Sequence, residues 1–452
     1  MTIDHHTPDD LSDFAELLQH GQEASDPLVN KNSPVRRRRR RRALIVTAIT
    51  IAVVLAVVGG YTGWALNAPV RAPHIAAQAP SVPISSAASV PLASDGASAL
   101  RITGGDAYFS AAKTGIALRS GSDKPRPIAS ISKLITALVV LEARPLSGAD
   151  DTGPTITFSK ADHDLYDKYY VMGATIAAMP RGSSMSEYDA LATMLIPSAC
   201  NYAEAIATWA YGSQSAFLSA TRRWLAAHGL TGTTIVEPTG ISHRNTSTTK
   251  DLLKIGQLAA ANPSIVKITG TSSLSLPGPG AMFNTNDLLG TDGISGLKTG
   301  NLGEGSFALL YTASLDVGVD KPLEIIGVVL GGDSRQGVDS SVLAALDGIR
   351  AGFHTVPLTT SGQQIGTYST PWGATARMVV SSSASILTWS DTPITATMKT
   401  TTPKRYANGE VIGSITWHAG PSTATAQVTV AGSISPPTAW WRLTHPFELG
   451  GK

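Results

Sequence analysis

The chain carries one cysteine in 452 residues, Cys200. A single thiol excludes an internal disulfide framework and cannot supply the paired cysteines of a structural metal centre. Net charge is just as scarce. With 35 basic and 33 acidic residues the formal balance is +2, and no nucleic-acid motif appears, so no nucleic-acid partner is expected. His228 and His243 have no partner at metal-ligand spacing, and no metal is expected.

Charge is missing altogether from Ala43 to Leu66, directly after seven consecutive arginines, Arg36 to Arg42. As a helix the uncharged run reaches about 36 Å at roughly 1.5 Å per residue, enough to cross a hydrocarbon core of about 30 Å. The arginines should stay on the cytoplasmic side and leave the rest of the chain outside the cell. A signal peptide fits less well, because the run is long, starts 42 residues into the chain and lacks a clean small-x-small exit.

Composition divides the chain further. Residues 1–42 read as a disordered cytoplasmic tail with a basic end, 43–66 as a transmembrane helix, and 67–98, rich in Ala, Pro and Ser, as an extended tether. Residues 99–355 form the main domain. Strand-like runs occur at Ala107 to Phe109 and Gly115 to Leu118, helices at Ser132 to Leu141, Ser186 to Leu195, "NYAEAIATWAYG" and "QSAFLSATRRWLAAHGL", the last closing on Gly229. Two core strands, "SFALLYTASL" and "LEIIGVVLGG", and a helix over "DSSVLAALDGIRAGFHTV" follow. Helices flanked by strands imply an α/β sandwich, one antiparallel sheet packed against helices. Residues 356–452, with alternating Thr, Ser and Val, imply a small all-β domain with a spacer or docking role.

Within the main domain, "SISK" sets Ser130 three residues before Lys133 at a helix start. Residues at that spacing share a helix face, so the amine can reach the hydroxyl. Partial desolvation would favour a neutral amine able to take a proton from serine. The spacing alone is not diagnostic, since "STTK", Ser247 to Lys250, repeats it within what reads as an N-capped surface helix. Two further elements add to the first. "GLKTGN" places Lys298, Thr299, Gly300 and Asn301 beside an apolar strand, where they can hold a carboxylate while a peptide lies along the strand edge. "IPSACNYAEA" places Ser198 at a helix junction.

With "RPIASISKLITA", "MLIPSACNYA", "EPTGIS", "FNTNDLL" and "DGISGLKTG" in this order, the sequence resembles the serine D-alanyl-D-alanine carboxypeptidases of the low-molecular-mass penicillin-binding type, peptidase family S11, from about Gly104 to Thr355. The resemblance implies a β-lactamase/transpeptidase-like sandwich, followed by a small β domain. It implies Ser130 as acylated nucleophile, Lys133 as its base, and Ser198 as the proton carrier toward the leaving amine. Lys298 and Thr299 would bind the terminal carboxylate, and the backbone N–H groups of Ser130 and Asn301 would form the oxyanion hole. The implied partners are peptidoglycan stem peptides, β-lactams as covalent inhibitors, and the bacterial cell membrane through one helix; no cofactor is needed.

One position departs from the family pattern. Its second motif reads serine, any residue, asparagine, and this chain has Ser198, Ala199, Cys200. A thiol is a weak donor and cannot both orient a lysine and bind a substrate amide. Asn201 is turned by about 100° around the helix and is no ready substitute. Cys200 also suits plain packing on an apolar helix. Two other readings therefore stand beside the carboxypeptidase: an impaired homologue that binds peptidoglycan or scaffolds other wall enzymes, and a β-lactamase or D-amino-acid amidase or esterase.

Overall fold

The computed structural model describes residues 34–109 and 115–450. The expected disordered tail up to residue 33 lies outside the described residues. The chain divides into two compact units, one holding the membrane-length helix with residues 369–375 and 435–450, the other holding residues 75–368 and 376–434.

In the first unit, helix α1 (Pro34–Asn67) is long and apolar enough from Arg37 onward to cross a membrane, and it is the one such helix among the described residues, which supports a single-pass topology. The arginines, expected at the end of a disordered tail, are helical. Arginine is a good helix former, so the helix extends back from the apolar run at little cost. The C-terminal stretch, expected to be entirely β, contains a short helix at Ala439–Thr444 and a single turn at Pro446–Glu448.

The second unit is built on a five-stranded antiparallel sheet of β1 (Ala97–Thr103), β2 (Ile116–Gly121), β3 (Ile294–Gly300), β4 (Phe307–Leu315) and β5 (Leu323–Gly332), in the order β3-β4-β5-β1-β2. Both faces are covered. Leu310, Val328 and Leu330 point into one core, whereas Leu309, Tyr311, Ile325 and Val329 point into the other. This is why the two long strands read as unbroken apolar runs instead of alternating ones.

Helices α2 (Ser132–Ala143), α3 (Lys160–Val171), α4 (Glu187–Leu195), α5 (Cys200–Tyr211), α6 (Gln214–Ala227), α7 (Thr249–Ala260) and α8 (Pro263–Thr269) form the large helical layer, and α9 (Arg335–Gly352) covers the opposite face. Their starts are set locally. Ser159 and Asp162 make a capping box for α3, while Ser186, Ser213 and Ser334 cap α4, α6 and α9 through their side chains. The α/β architecture is as the sequence implies.

Two local expectations give way to tertiary contacts. Ala107 to Phe109 is a turn, and the strand lies earlier, at β1. Its aromatic residues serve a junction: Phe109 meets Trp389 edge-on at 5.0 Å, and Tyr108 meets Phe353 at 5.6 Å. The helix expected to continue through "FHTV" stops at Gly352, because Phe353–Thr359 is already a strand paired with Ala384–Trp389. Beyond it stands a six-stranded sheet whose core holds Tyr368, Met378, Ile415 and Trp417.

The expected tether is laid against this unit. Val82 packs on the C-terminal β core, Val90 and Leu92 pack beside α9, and the Ala88 N–H donates to the Ser390 hydroxyl at 2.9 Å. Isolated apolar residues between prolines are too few for a core of their own, but each finds a neighbour on a surface already built.

Glu187, in the first turn of α4, is fully buried, and neither carboxylate oxygen has a hydrogen-bond partner. Burial pushes its carboxyl up to about 7, with Asp151 acting in the same direction and Arg144 against it. A carboxyl raised in the folded state contributes most below its unfolded value and loses that contribution as pH rises through the folded one. Stability should therefore fall between about pH 4.5 and 7 by on the order of 3 kcal/mol from this group. Urea denaturation across that range should show the decline, and Glu187→Gln should flatten it; an equal slope in both proteins would refute the assignment.

Candidate active site

A cleft of about 500 Å³ opens between the helical layer and the edge strand β3, with Ser130, Ser198, Cys200, Thr299, Asn301 and Arg335 among its lining. Ser130 sits on a single 3-10 turn, Ala129–Ile131, that runs straight into α2. Lys133, one turn further on, is fully buried. Its Nζ donates to Ser130 Oγ at 2.9 Å, to Cys200 Sγ at 3.3 Å and to the Thr239 carbonyl at 2.6 Å. The nitrogen thus has three polar neighbours, and the serine hydroxyl is one of them.

The Thr239 carbonyl is held by the loop "EPTGIS". The Glu237 carboxylate accepts hydrogen bonds from the Thr239 N–H and hydroxyl, from the N–H groups of Gly240 and Ser242, and from the Asn245 amide. Asn245 also donates to the Ser132 hydroxyl at 3.0 Å, which ties this loop to the first residue of α2. Gly240 has φ +84°, and a Cβ there would stand 2.0 Å from the Ala129 carbonyl oxygen. Only glycine combines that conformation with that approach.

Ser198 holds a left-handed φ of 72° just before α5, and its buried Oγ has no partner. Backbone strain of this kind in a non-glycine residue costs on the order of 1–3 kcal/mol and collects where a side chain must be aimed. Cys200 is the first residue of α5, and its N–H donates to the Thr175 carbonyl at 2.8 Å, which fixes the cleft wall from Met172 to Thr175. It is buried as a packing residue would be, yet its sulfur faces Lys133. Asn201 is committed elsewhere, its amide exchanging two hydrogen bonds with the backbone of Ala177.

Opposite, Lys298 lies behind the cleft wall. Its Nζ donates to the hydroxyls of Thr285 at 3.2 Å and Thr299 at 3.5 Å, and those two hydroxyls lie 2.6 Å apart. Burial holds the Lys298 ammonium well below the usual lysine range, with the charges of Lys133 and Arg335 pushing the same way and Cys200 opposing. Gly300 passes so close to the 3-10 turn that a Cβ would meet the Ile128 carbonyl at 2.8 Å. Asn284 and Asn286 brace this wall through the carbonyls of Thr269, Thr271 and Gly296.

The structure thus brings Ser130, Ser198, Cys200, Thr299 and Asn301 to one cleft, with Lys133 buried beneath it against Ser130 and Cys200, and Lys298 and Gly300 next to its walls. Residues 94–334 match the family model of the D-alanyl-D-alanine carboxypeptidases, peptidase family S11. The chain belongs to this family. It is 31% identical over 229 residues to a D-alanyl-D-alanine endopeptidase of Escherichia coli (strain K12), an alignment covering 49% of this chain and 69% of that protein. A D-alanyl-D-alanine endopeptidase of Pseudomonas aeruginosa is 34% identical over 156 residues, 34% of this chain and 46% of its own length. Penicillin binding protein 5 from Haemophilus influenzae shares the fold, with a TM-score of 0.51 at 18% identity over 77% of this chain and 99% of that one. The sandwich is accordingly the β-lactamase/transpeptidase fold.

Three site residues escape a reading of the sequence alone. Glu237 acts by holding its own loop, and Thr285 through contacts with distant segments. Arg335 stands in the first turn of α9, where a cation opposes the helix dipole, and that misplacement was the available signal. Its guanidinium donates to the Thr285 carbonyl and lies 3.6 Å from Asp287.

Gly240→Ala should displace the Ala129–Ser130 backbone and cut the rate of covalent labelling by a fluorescent penicillin roughly 100-fold, the scale expected for a misplacement of about 1 Å. Stopped-flow labelling of the folded variant checks this, and a near-normal rate would show that the turn tolerates the shift.

Proposed function

We propose that the protein is a serine-type D-Ala-D-Ala carboxypeptidase that removes the terminal D-alanine of peptidoglycan stem peptides through an acyl-enzyme. The observation that carries this reading is the 2.9 Å contact between buried Lys133 Nζ and Ser130 Oγ at the floor of an open cleft. In this reading Lys133 acts as the neutral amine, its lone pair taking the hydroxyl proton along the 2.9 Å contact as Ser130 Oγ attacks the penultimate carbonyl carbon. The oxygen that gains negative charge is held by the backbone N–H groups of Ser130 and Asn301. Ser198, with its free Oγ in the cleft, passes a proton to the departing amine, D-alanine leaves, and water releases the shortened peptide.

The Thr285 and Thr299 hydroxyls and Arg335 face the cleft and would receive the terminal carboxylate. An arriving carboxylate would favour the charged form of Lys298 that burial disfavours. β-Lactams would acylate the same serine. The arginines at the start of α1 would keep the N-terminus in the cytoplasm and the peptidase outside it, in the cell envelope.

A second reading concerns where the chain cuts. Two of the relatives are named endopeptidases and one, from Bacillus subtilis (strain 168), a carboxypeptidase. The bond broken would then join two stems, with the same residues in the same roles.

Incubation of the full chain in detergent with a D-Ala-D-Ala pentapeptide and, separately, with a cross-linked stem dimer distinguishes the two: free D-alanine supports the first, dimer splitting the second. Ser130→Ala should abolish both products and any penicillin adduct in the intact mass. Product release by folded Ser130→Ala protein would overturn the mechanism.

Cys200→Asn should raise the acylation rate roughly two- to ten-fold, the worth of one neutral hydrogen bond, because an amide oxygen accepts from Lys133 more strongly than sulfur does. An unchanged rate would mean that the thiol is no handicap. Arg335→Gln should raise KM for the pentapeptide while leaving an amide-capped analogue unaffected.

A further inference from the structure

The end of the chain returns to the membrane helix. Arg442 donates to the carbonyls of Ala68 at 2.7 Å and Ala65 at 3.4 Å, and the Tyr61 hydroxyl donates to the Leu443 carbonyl at 2.6 Å. The Gly450 N–H donates to the Pro69 carbonyl at 2.8 Å, and Ala65, Ala68 and Leu449 share a small buried cluster. Carbonyls in the last turn of a helix lack intrahelical donors and carry the negative end of its dipole, so a guanidinium satisfies both.

The height of this contact follows from the helix rise. From Ala43, the first residue after the arginines, α1 climbs about 27 Å to Tyr61 and about 33 Å to Ala65, against a hydrocarbon core of about 30 Å. The docked segment is thereby fixed at the outer membrane–water boundary. Aromatic residues gather there. Of the chain's 8 tryptophans, Trp64, Trp372, Trp440 and Trp441 belong to this unit. Trp372 and Trp441 meet edge-on at 5.7 Å, whereas Trp440 is 75% exposed and Phe447 90% exposed. Indole rings favour the boundary between hydrocarbon and water, and large exposed apolar rings need a reason to stay exposed.

We propose that residues 438–450 form an interfacial foot, which inserts Trp440 and Phe447 into the headgroup region of the same bilayer that α1 crosses. The occupant of this face is lipid, because the segment is bonded directly to the end of a membrane-length helix. The chain then holds the membrane twice, by a span and by a wedge lying in the interface, and both belong to one rigid contact.

The test uses the full chain in phosphatidylcholine–phosphatidylglycerol nanodiscs, with nitroxide labels at Trp440→Cys and Phe447→Cys read by power-saturation EPR. Leu55→Cys serves as the reference within the membrane and Ser382→Cys as the reference in water, and the unmodified chain, with buried Cys200, gives the blank. Labels at 440 and 447 should prefer collision with oxygen over a water-soluble nickel chelate, as the label at 55 does. Arg442→Ala should move the label at 440 back toward nickel. Nickel preference at both positions, matching 382, would overturn the proposal, as would spin–spin broadening between labels, which would mean that a second copy covers this face. Unchanged depth after Arg442→Ala would overturn the bond to the helix end.

Discussion

A lysine amine with no exposed surface must find polar partners inside the fold, and the sandwich of this molecule is arranged around that requirement. Lys133 takes its partners from three separate segments: the 3-10 turn with Ser130, the start of α5 with Cys200, and the loop with Thr239. A buried polar group left without partners is costly, so none of the three segments can drift without depriving the amine of one. The segments are then secured in turn. Glu237 gathers the N–H groups of its own loop, Asn245 ties the loop to Ser132, and the Thr136 hydroxyl reaches the Pro238 carbonyl at 2.7 Å. The three elements that line one side of the cleft are thus fixed before any ligand arrives.

The other side of the cleft depends on the sheet. β3 is an edge strand, and an open edge presents unpaired backbone groups that can pair with an extended peptide. Its inner register is fixed, with Lys298 opposite Leu310 and Thr299 opposite Leu309, so Thr299 and Lys298 necessarily point to opposite faces. The alternation sets Lys298 on the face of Leu310, beneath the helical layer, and its Nζ still reaches the Thr285 and Thr299 hydroxyls at 3.2 and 3.5 Å. Gly300 lets the strand come down against the Ile128 carbonyl, so the two walls meet at the floor where Ser130 stands. Burial on both sheet faces makes this geometry stiff, since a shift of β3 would have to disturb two cores at once.

What could be read from the sequence follows the same physics. The membrane helix, the two long core strands and α2 were legible because each is a continuous apolar run of the right length. The Ser130–Lys133 pair was legible as a spacing, yet Ser247 and Lys250 have the same spacing and a different fate. The Ser247 hydroxyl shares a hydrogen bond with the Thr233 hydroxyl at 2.8 Å, and Lys250 is exposed. Nothing local separates the two pairs; the difference lies in what other segments bring. The same holds for Thr285 and Arg335, whose partners are far away in sequence or on another element. Misread elements share this cause. The aromatic residues of Tyr108 and Phe109 suggested a strand, but they are there to meet Phe353 and Trp389 across the junction between the sandwich and the C-terminal β sheet.

Cys200 shows how a single substitution is contained. Its neighbour Asn201 cannot rotate into the cleft, because both ends of its amide are bonded to Ala177 and hold the wall beside α5. The position facing Lys133 therefore has to be filled by residue 200 itself. Sulfur is large and polarizable, accepts weakly at 3.3 Å, and completes the set of partners that the buried amine needs. What it lacks is a second polar group to offer a peptide lying in the cleft, where an amide would have both an oxygen for the lysine and an N–H for the ligand. The thiol completes the lysine's set of partners and brings no second polar group to the cleft. The constraint that organises the site and the contacts that recognise a substrate are, at this one residue, chemically separable.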